Sequence, residues 1–575
     1  MPIKYSEAYG QSRWNPFGDI LDPVRSLLNS GIPNDLEASG GRRSGSCSIA
    51  VRRAGRVWLV GVLLLRMAAS AKAQQPAPGC AEARPYIAPA QEAIAVGDST
   101  TALRELNRAI QIDPRCADAY LMLGLTEFQR GAIADSIQHY QRALALQPGS
   151  YSGHYDLALA YLKEHKLQEA RTQLEQSVKL DPHQANAVYD LGMVLLELDD
   201  PSEALIQLRH ARALNPQRPD VAFNIVRAQL EAGRATEARA EARDSGKRFG
   251  SDFQWSAAVG QLFLKKGEPN DAAFYLLQAS RSRPDDVEIR HQLAAAYLES
   301  GQPDEVISII GDPNTSDDHY LRASAYYLSH RFPEADRESE LALGLAPDSP
   351  QILVLRTRLL QRAGEQDEAL LTAQKAITLA PNWDEPYYLA GVSYYFMRRY
   401  EQAQENLVRA VESNPNSARA LFLESIALAN LGKIDNAERC LRRAIVLQPT
   451  NARLHCHLGI LLARRNENAK AEESFRTAIQ LKPDYGLSHY ELGKLLVSSK
   501  QLRPAVRQLE QAVKHDPGLS AAYYQLARVY AKLGDVEKSE HLLVEFERLY
   551  RQDVHDSRPV DQALDEDARK ATEAP

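Results

Sequence analysis

Long apolar runs are scarce in this sequence, and the scarcity is informative. The stretch Val57 to Leu65 holds nine residues, whereas a helix needs about 20 to span a bilayer. Cysteine is sparse: Cys47, Cys80, Cys116, Cys440 and Cys456 are five in 575 residues, which excludes a disulfide scaffold. There is no basic excess. The net charge is −7 and the pI about 6.1, so nothing global favours nucleic acid, which calls for a basic stripe. No Gly-rich phosphate loop, nucleophile elbow or HExxH motif occurs. What remains is ordinary for a soluble folded chain, 44% hydrophobic and 25% charged.

What the chain does have is a period. Pro114, Pro148, Pro182 and Pro216 stand 34 residues apart, Gly250 fills the next slot and Pro284 the one after. A second train runs Pro347, Pro381, Pro415, Pro449, Pro483 and Pro517. A fixed period of this length predicts stacked repeats, which lengthen without thickening the core.

Residues 382–415 show what one repeat is made of. Apolar residues at three- and four-residue spacing predict two amphipathic helices, from about Pro386 to Arg398 and from about Tyr400 to Glu412. Pro386 suits an early helical position, and Pro415 ends the second helix because it lacks a donor and clashes with the preceding turn. The short linker makes the pair antiparallel. Small residues stand where the helices must approach, at Gly391, Ala403 and Ala410, with Tyr394 and Leu407 between them. The same slots read Gly192, Ala204 and Ala211, then Gly459, Ala471 and Ala478, then Gly493, Ala505 and Ala512.

This order resembles the tetratricopeptide repeat, whose 34-residue unit sets an aromatic, Leu-Gly, Tyr, Ala, aromatic, Ala and Pro in sequence. Residues 450–483 match with Leu458-Gly459, Leu462, Ala471, Phe475, Ala478 and Pro483; in 382–415 the usual Leu before the glycine is Ala390. The resemblance covers roughly residues 81–551. It implies an all-α fold, a right-handed superhelical solenoid of about 14 stacked antiparallel helix pairs. The prolines place units at 81–114, 115–148, 149–182, 183–216, 217–250, 251–284, 285–313, 314–347 and then every 34 residues to 551. The first and fifth are degenerate.

The unit 285–313 is five residues short, which is more than one helical turn. A change of curvature or a hinge is expected there, separating one array at 81–313 from another at 314–551. Asp312-x-Asn314-x-Ser316-x-Asp318 alternates oxygen ligands like a calcium loop, but Asp317 and Ala323 stand where Gly and Glu are needed. A polar turn with helix caps is the better reading. Residues 552–575, polar and acidic around Asp565-Glu566-Asp567, read as a disordered tail.

The N-terminal 1–50 carries no sustained period. Arg52-Arg53 and Arg56, the run Val57 to Leu65 and the ending Ala71-Lys72-Ala73 describe a signal peptide at 51–73. It begins fifty residues late, which a start at Val51 would explain, with 1–50 a start-site artefact. The expected location is therefore periplasmic or secreted, the alternative cytoplasmic. Cys80 with Cys116, or Cys440 with Cys456, could bridge in an oxidising compartment, though buried small apolar residues are the simpler reading.

Stacked helix pairs leave a concave face lined by first helices. There an aromatic position repeats at Tyr155, Tyr189, Phe223, Tyr320, Tyr388, Phe422, Tyr490 and Tyr524, and Tyr395 and Phe396 enrich the cluster around Tyr388. Leu159, Met193, Val392 and Ile426 follow on the same stripe, with Arg227, Arg358, Lys494 and Arg528 interspersed. The groove is expected to be apolar and aromatic and to bind an extended or helical peptide, although tyrosine here also serves the family's framework. Some members grip a C-terminal carboxylate with Lys and Asn on these helices; no such pair stands here. His455-Cys456-His457 looks metal-like, but consecutive helical residues point apart and cannot converge on one ion.

The expected function is a non-catalytic protein–protein interaction scaffold in a bacterial envelope assembly, with no cofactor, no metal and no nucleic-acid partner. The alternatives are the targeting subunit of a multi-chain enzyme, such as a glycosyltransferase, and a polysaccharide-binding groove.

Overall fold

The computed structural model describes residues 80–555, and the expected leader at 51–73, the segment 1–50 and the tail from 556 lie outside them. Twenty-eight α-helices and no strand occur among the described residues. By contact these residues form two units, 80–296 and 297–555. Within each unit the helices pack as consecutive antiparallel pairs, the second helix of one pair against the first of the next. No helix among the described residues is long and apolar enough to cross a membrane.

The pair expected at 382–415 is Asp384–Phe396 followed by Tyr400–Ser413, with Asn414 as C-cap directly before Pro415. One contact locks the two helices together. Leu407 is fully buried, and a methyl group at Gly391 would stand 2.7 Å from its Cγ. The same contact recurs between Gly192 and Leu208 at 2.8 Å, Gly459 and Phe475 at 2.6 Å, and Gly493 and Leu509 at 2.7 Å. Glycine is therefore fixed by the side chain that faces it. Ala403 and Ala410, which flank Leu407, have no exposed surface, so the backbones meet there as well.

A second periodic feature lies in the turn between the two helices. Gly364 and Gly432 hold φ of +88° and +74°, and Arg398, midway between them in sequence, holds +59°. His165, Asp199, His330, Asn466 and Lys500 occupy the equivalent turn with φ between 56° and 61°. The turn thus requires a left-handed residue in every pair, whether or not glycine supplies it.

The shortened unit keeps its first helix, Val287–Glu299, but its second, Pro303–Ile310, has eight residues where its counterparts have 14. The next helix, Ser316–Leu328, opens with a capping box: Asp318 N donates to Thr315 Oγ1 at 3.1 Å and Thr315 N to Asp318 Oδ2 at 3.3 Å. Asp318 Oδ2 also accepts from Asn314 N. The calcium-like spacing is therefore a helix start. At the other end, Val536–His555 runs 20 residues, so helix continues past 551 where a tail was expected.

Cys80 and Cys116 form a disulfide, with Cα atoms 4.9 Å apart. This corrects the simpler reading of both as buried apolar residues. The bond joins the residue ahead of Arg84–Ala95 to the N-cap of Ala117–Arg130, closing a loop around the first described helix pair. Cys440 and Cys456 are not bridged.

The N-terminal unit also buries a carboxylate. Asp156 lies on Tyr151–Lys163 beside the fully buried Tyr140, and its Oδ1 has no hydrogen-bond partner. Burial pushes its carboxyl up to about 7. No cation compensates, so the neutral form is the one the fold accommodates.

Three expectations follow from this packing. Reducing the disulfide removes a cross-link over 36 residues, worth about 4 kcal/mol by chain entropy. Amide exchange should accelerate in 84–112 and stay unchanged beyond 151; acceleration throughout the unit would mean the bond does more than hold its end. Arg398→Gly should relieve left-handed strain and slow local opening, with a gain of about 0.5–1 kcal/mol by hydrogen exchange. Asp156 keeps its proton to higher pH in the fold than in the unfolded chain. Its contribution is therefore fully present below pH ~4, is lost as pH rises to about 7 and is constant above that. Asp156→Asn should abolish this slope and protect the helix 151–163 at pH 8 by about 1–4 kcal/mol relative to the parent.

Candidate functional site on the first helices

Second helices are enclosed by the first helices on either side of them, so the repeating surface is the outward stripe of the first helices. Its residues recur at three- and four-residue spacing within a helix and at 34-residue spacing between helices. In the C-terminal unit this stripe carries a connected set of charged and aromatic side chains.

Glu385 is at its centre. It is buried on Asp384–Phe396 and pairs with Arg358 Nη2 at 2.6 Å, from the preceding first helix, and with Arg419, from the following one. Burial alone would raise its carboxyl, but Arg419 and Arg358 together hold it below the usual range. One carboxylate thus answers two guanidiniums, which leaves the group positive. Arg419 also lies over the ring of Tyr388, 4.5 Å from its centroid.

The pattern continues along the stack. Arg453 lies 6.0 Å from the Phe422 centroid, Lys494 is 5.1 Å from Tyr490, and Arg528 is 5.6 Å from Tyr524. Lys494 also pairs with the buried Glu491 at 2.7 Å. From Pro350 onward, the positions equivalent to Glu385, Val392 and Phe396 hold Arg358, Arg362, Arg419, Arg453, Arg464, Lys494, Arg528 and Lys532, and Glu385 is the one carboxylate among them.

The N-terminal unit differs. Tyr155 donates to Asp190 Oδ2 at 2.7 Å, and Asn224 Nδ2 donates to the Tyr189 hydroxyl at 3.0 Å, each linking successive first helices. Arg227 pairs with Glu231 at 2.9 Å and Glu197 at 3.1 Å. Here the equivalent positions carry Asp118, Glu197, Asp220, Glu231 and Glu288 against Lys163, Arg227 and Lys265. The two units therefore present faces of opposite sign.

The ten aromatic residues singled out by spacing do not share one environment. Tyr155, Tyr320, Tyr388, Tyr395, Phe422 and Tyr490 are buried; Tyr189, Phe223 and Phe396 are half-buried; Tyr524 is 41% exposed. Tyr395 packs edge-on against Phe396 at 5.7 Å and against Tyr400. The buried rings are floor, and the cations above them are surface. Spacing identified Arg227, Arg358, Lys494 and Arg528 but missed Glu385, Arg419 and Arg453, although these three stand 34 residues apart.

His455, Cys456 and His457 diverge as consecutive helical residues should. His455 Nε2 meets Pro449 O at 2.9 Å, Cys456 is fully buried, and His457 stands edge-on to Phe422 at 4.8 Å. No cluster of His, Cys, Asp or Glu that could hold a metal occurs among the described residues.

Known proteins resemble this chain in sequence and in shape. The Hsp70-Hsp90 organizing protein 2 of Arabidopsis thaliana is 27% identical over 101 residues, 18% of each chain. The Hsp70-Hsp90 organizing protein of Triticum aestivum is 27% identical over 94 residues, 16% of each. The chain thus spans less than a fifth of these relatives. Among solved structures, the Cut9–Hcn1 hetero-tetramer of the APC/C covers 78% of this chain and 97% of its own, with 14% identity and a TM-score of 0.40. Yeast Tom70 covers 79% and 95%, with 16% identity and a TM-score of 0.33. Tetratricopeptide repeat models match residues 88–151, 155–219, 388–437, 422–486 and 490–552, and a second such model matches 195–262. With over half of its length matched and the Gly–Leu helix pairing repeated throughout, the chain belongs to the tetratricopeptide repeat family.

Proposed function

We propose that this protein is a non-catalytic interaction scaffold that binds peptide segments or partner proteins along its first-helix face. The observation that carries this reading is the linked row of side chains from Arg358 through Glu385, Arg419 and Tyr388, which joins three successive repeats into one surface. A rigid, multi-repeat surface suits recognition of an extended segment better than chemistry on a small molecule.

The Cys80–Cys116 disulfide supports an oxidising compartment, since such bonds form and persist outside the reducing cytosol. With the leader expected at 51–73, it favours a periplasmic or secreted scaffold in a bacterial envelope assembly. A polysaccharide groove is less favoured. Sugars stack on open ring faces, and Tyr388, Phe422 and Tyr490 are buried.

Phe396 and Tyr524 are accessible groove aromatics, whereas Tyr388 and Tyr395 are packed into the core. The paired change Phe396→Ala and Tyr524→Ala should therefore leave the circular dichroism melt unchanged while reducing capture of a defined partner from envelope extract at least about tenfold, the loss of roughly 1.4 kcal/mol expected for interface aromatics. Equal capture by parent and variant, or turnover of a substrate by the purified chain alone, would overturn the proposal.

A further inference from the structure

We propose that the first-helix face of the C-terminal unit, from Pro350 onward, takes an extended acidic polypeptide segment of another protein through its side-chain carboxylates, not through a chain terminus. This rests on the scaffold reading above and adds the chemistry of the partner.

Charge complementarity carries it. The cations at the repeating positions far outnumber the single carboxylate there, and that carboxylate is already shared by two guanidiniums. The rings do not compete for the ligand. Tyr388, Phe422 and Tyr490 are buried beneath Arg419, Arg453 and Lys494, so a partner meets guanidinium and ammonium groups first. A cation held over a ring is partly shielded from water on one side, and its remaining N–H groups face the ligand. Charge-assisted hydrogen bonds to carboxylates are the strong class of such contacts.

Spacing narrows the partner further. The successive first helices Ala452–Arg464, Gly486–Ser498 and Ser520–Leu533 touch one another. Packed helices lie about 8–10 Å apart, and an extended chain advances about 3.3 Å per residue. An acidic residue at every third position therefore meets one cation per helix, first Arg453, then Lys494, then Arg528. No Lys–Asn pair stands ready to grip a terminal carboxylate, so a blocked C-terminus costs the partner nothing. The acidic face of the N-terminal unit repels the same segment, which confines it to one part of the protein.

The test uses the full chain and a fluorescent 15-residue peptide, acetylated and amidated, with Asp at every third position and Ala, Leu or Tyr between. Binding is read by anisotropy at two salt concentrations. The expected result is saturable binding that weakens as salt rises, is unchanged when the amide is replaced by a free carboxylate, and falls at least about tenfold in the double variant Arg453→Glu, Arg528→Glu. Arg528 is exposed, so Arg528→Gln alone provides a variant that keeps the fold and should still weaken binding several-fold. Charge reversal at Glu197 and Glu231 in the N-terminal unit should leave binding at the parent level. No binding at low salt, equal affinity for the Asn-substituted peptide, or indifference to the Arg453 and Arg528 changes overturns the proposal. Tighter binding of polygalacturonate, displaced by the same variants, overturns the polypeptide and assigns the face to an acidic glycan. A captured partner whose contacting segment is neutral or basic leaves the scaffold standing and removes this inference alone.

Discussion

Each helix pair depends on one close approach, a glycine on the first helix beneath a large side chain on the second. At Gly391 the space a methyl group would need is already filled by Leu407, and the arrangement returns at Gly459 with Phe475 and at Gly493 with Leu509. The contact fixes both the distance and the register of the pair, because only one residue of the second helix can stand over the gap. The alanines on either side of that residue, fully buried, let the backbones close in. Once a pair is set, its outer sides are apolar, and the neighbouring pair covers them. That is why such a chain grows by addition and never by thickening.

An architecture built from neighbours is weakest where a neighbour is missing. The first described pair has none on its N-terminal side within the described residues, and there the Cys80–Cys116 bond closes the chain on itself. The shortened helix Pro303–Ile310 is the other departure, and it is followed by a capping box that restarts the next helix cleanly. The buried Asp156, with one oxygen unpartnered, lies inside the N-terminal stack where apolar packing would serve stability better.

Much of this was legible because the period reports on backbone constraints. Proline marks the end of each second helix, glycine marks the close approach, and both act through sterics that a sequence displays directly. The helix expected from about Pro386 to Arg398 lies two residues earlier at each end, within the ordinary fraying of such boundaries. Other features depended on what stands opposite a residue in space. Tyr388 and Tyr524 occupy the same slot, yet one is sealed and the other 41% exposed, because Arg419 from the next repeat covers the first while the last repeat has no successor. The bridge at Cys80 required two distant turns to come together. The left-handed turn was hidden because Arg398, Asn466 and Lys500 fill it as well as glycine does, so no single residue type marks the position.

The triad of Arg358, Glu385 and Arg419 shows why the face is better understood as a recognition surface than as glue. A buried ion pair loses hydration on both partners and recovers little in net stability, and apolar side chains of similar size would pack as well or better. What apolar residues could not do is fix the direction of a guanidinium. Glu385 holds both arginines from below, and the Tyr388 ring limits the tilt of Arg419, so the charge on that face is oriented before any partner arrives. Orientation achieved during folding does not have to be achieved again during binding, which lowers the ordering cost that otherwise offsets each polar contact. The same logic separates the two units: in the N-terminal one, Arg227 is held between Glu197 and Glu231 and its charge is directed back into the protein. Similar repeats can thus present opposite electrostatic faces because the framework depends on glycine, alanine and leucine at fixed slots, leaving the outward stripe to vary without disturbing the stack.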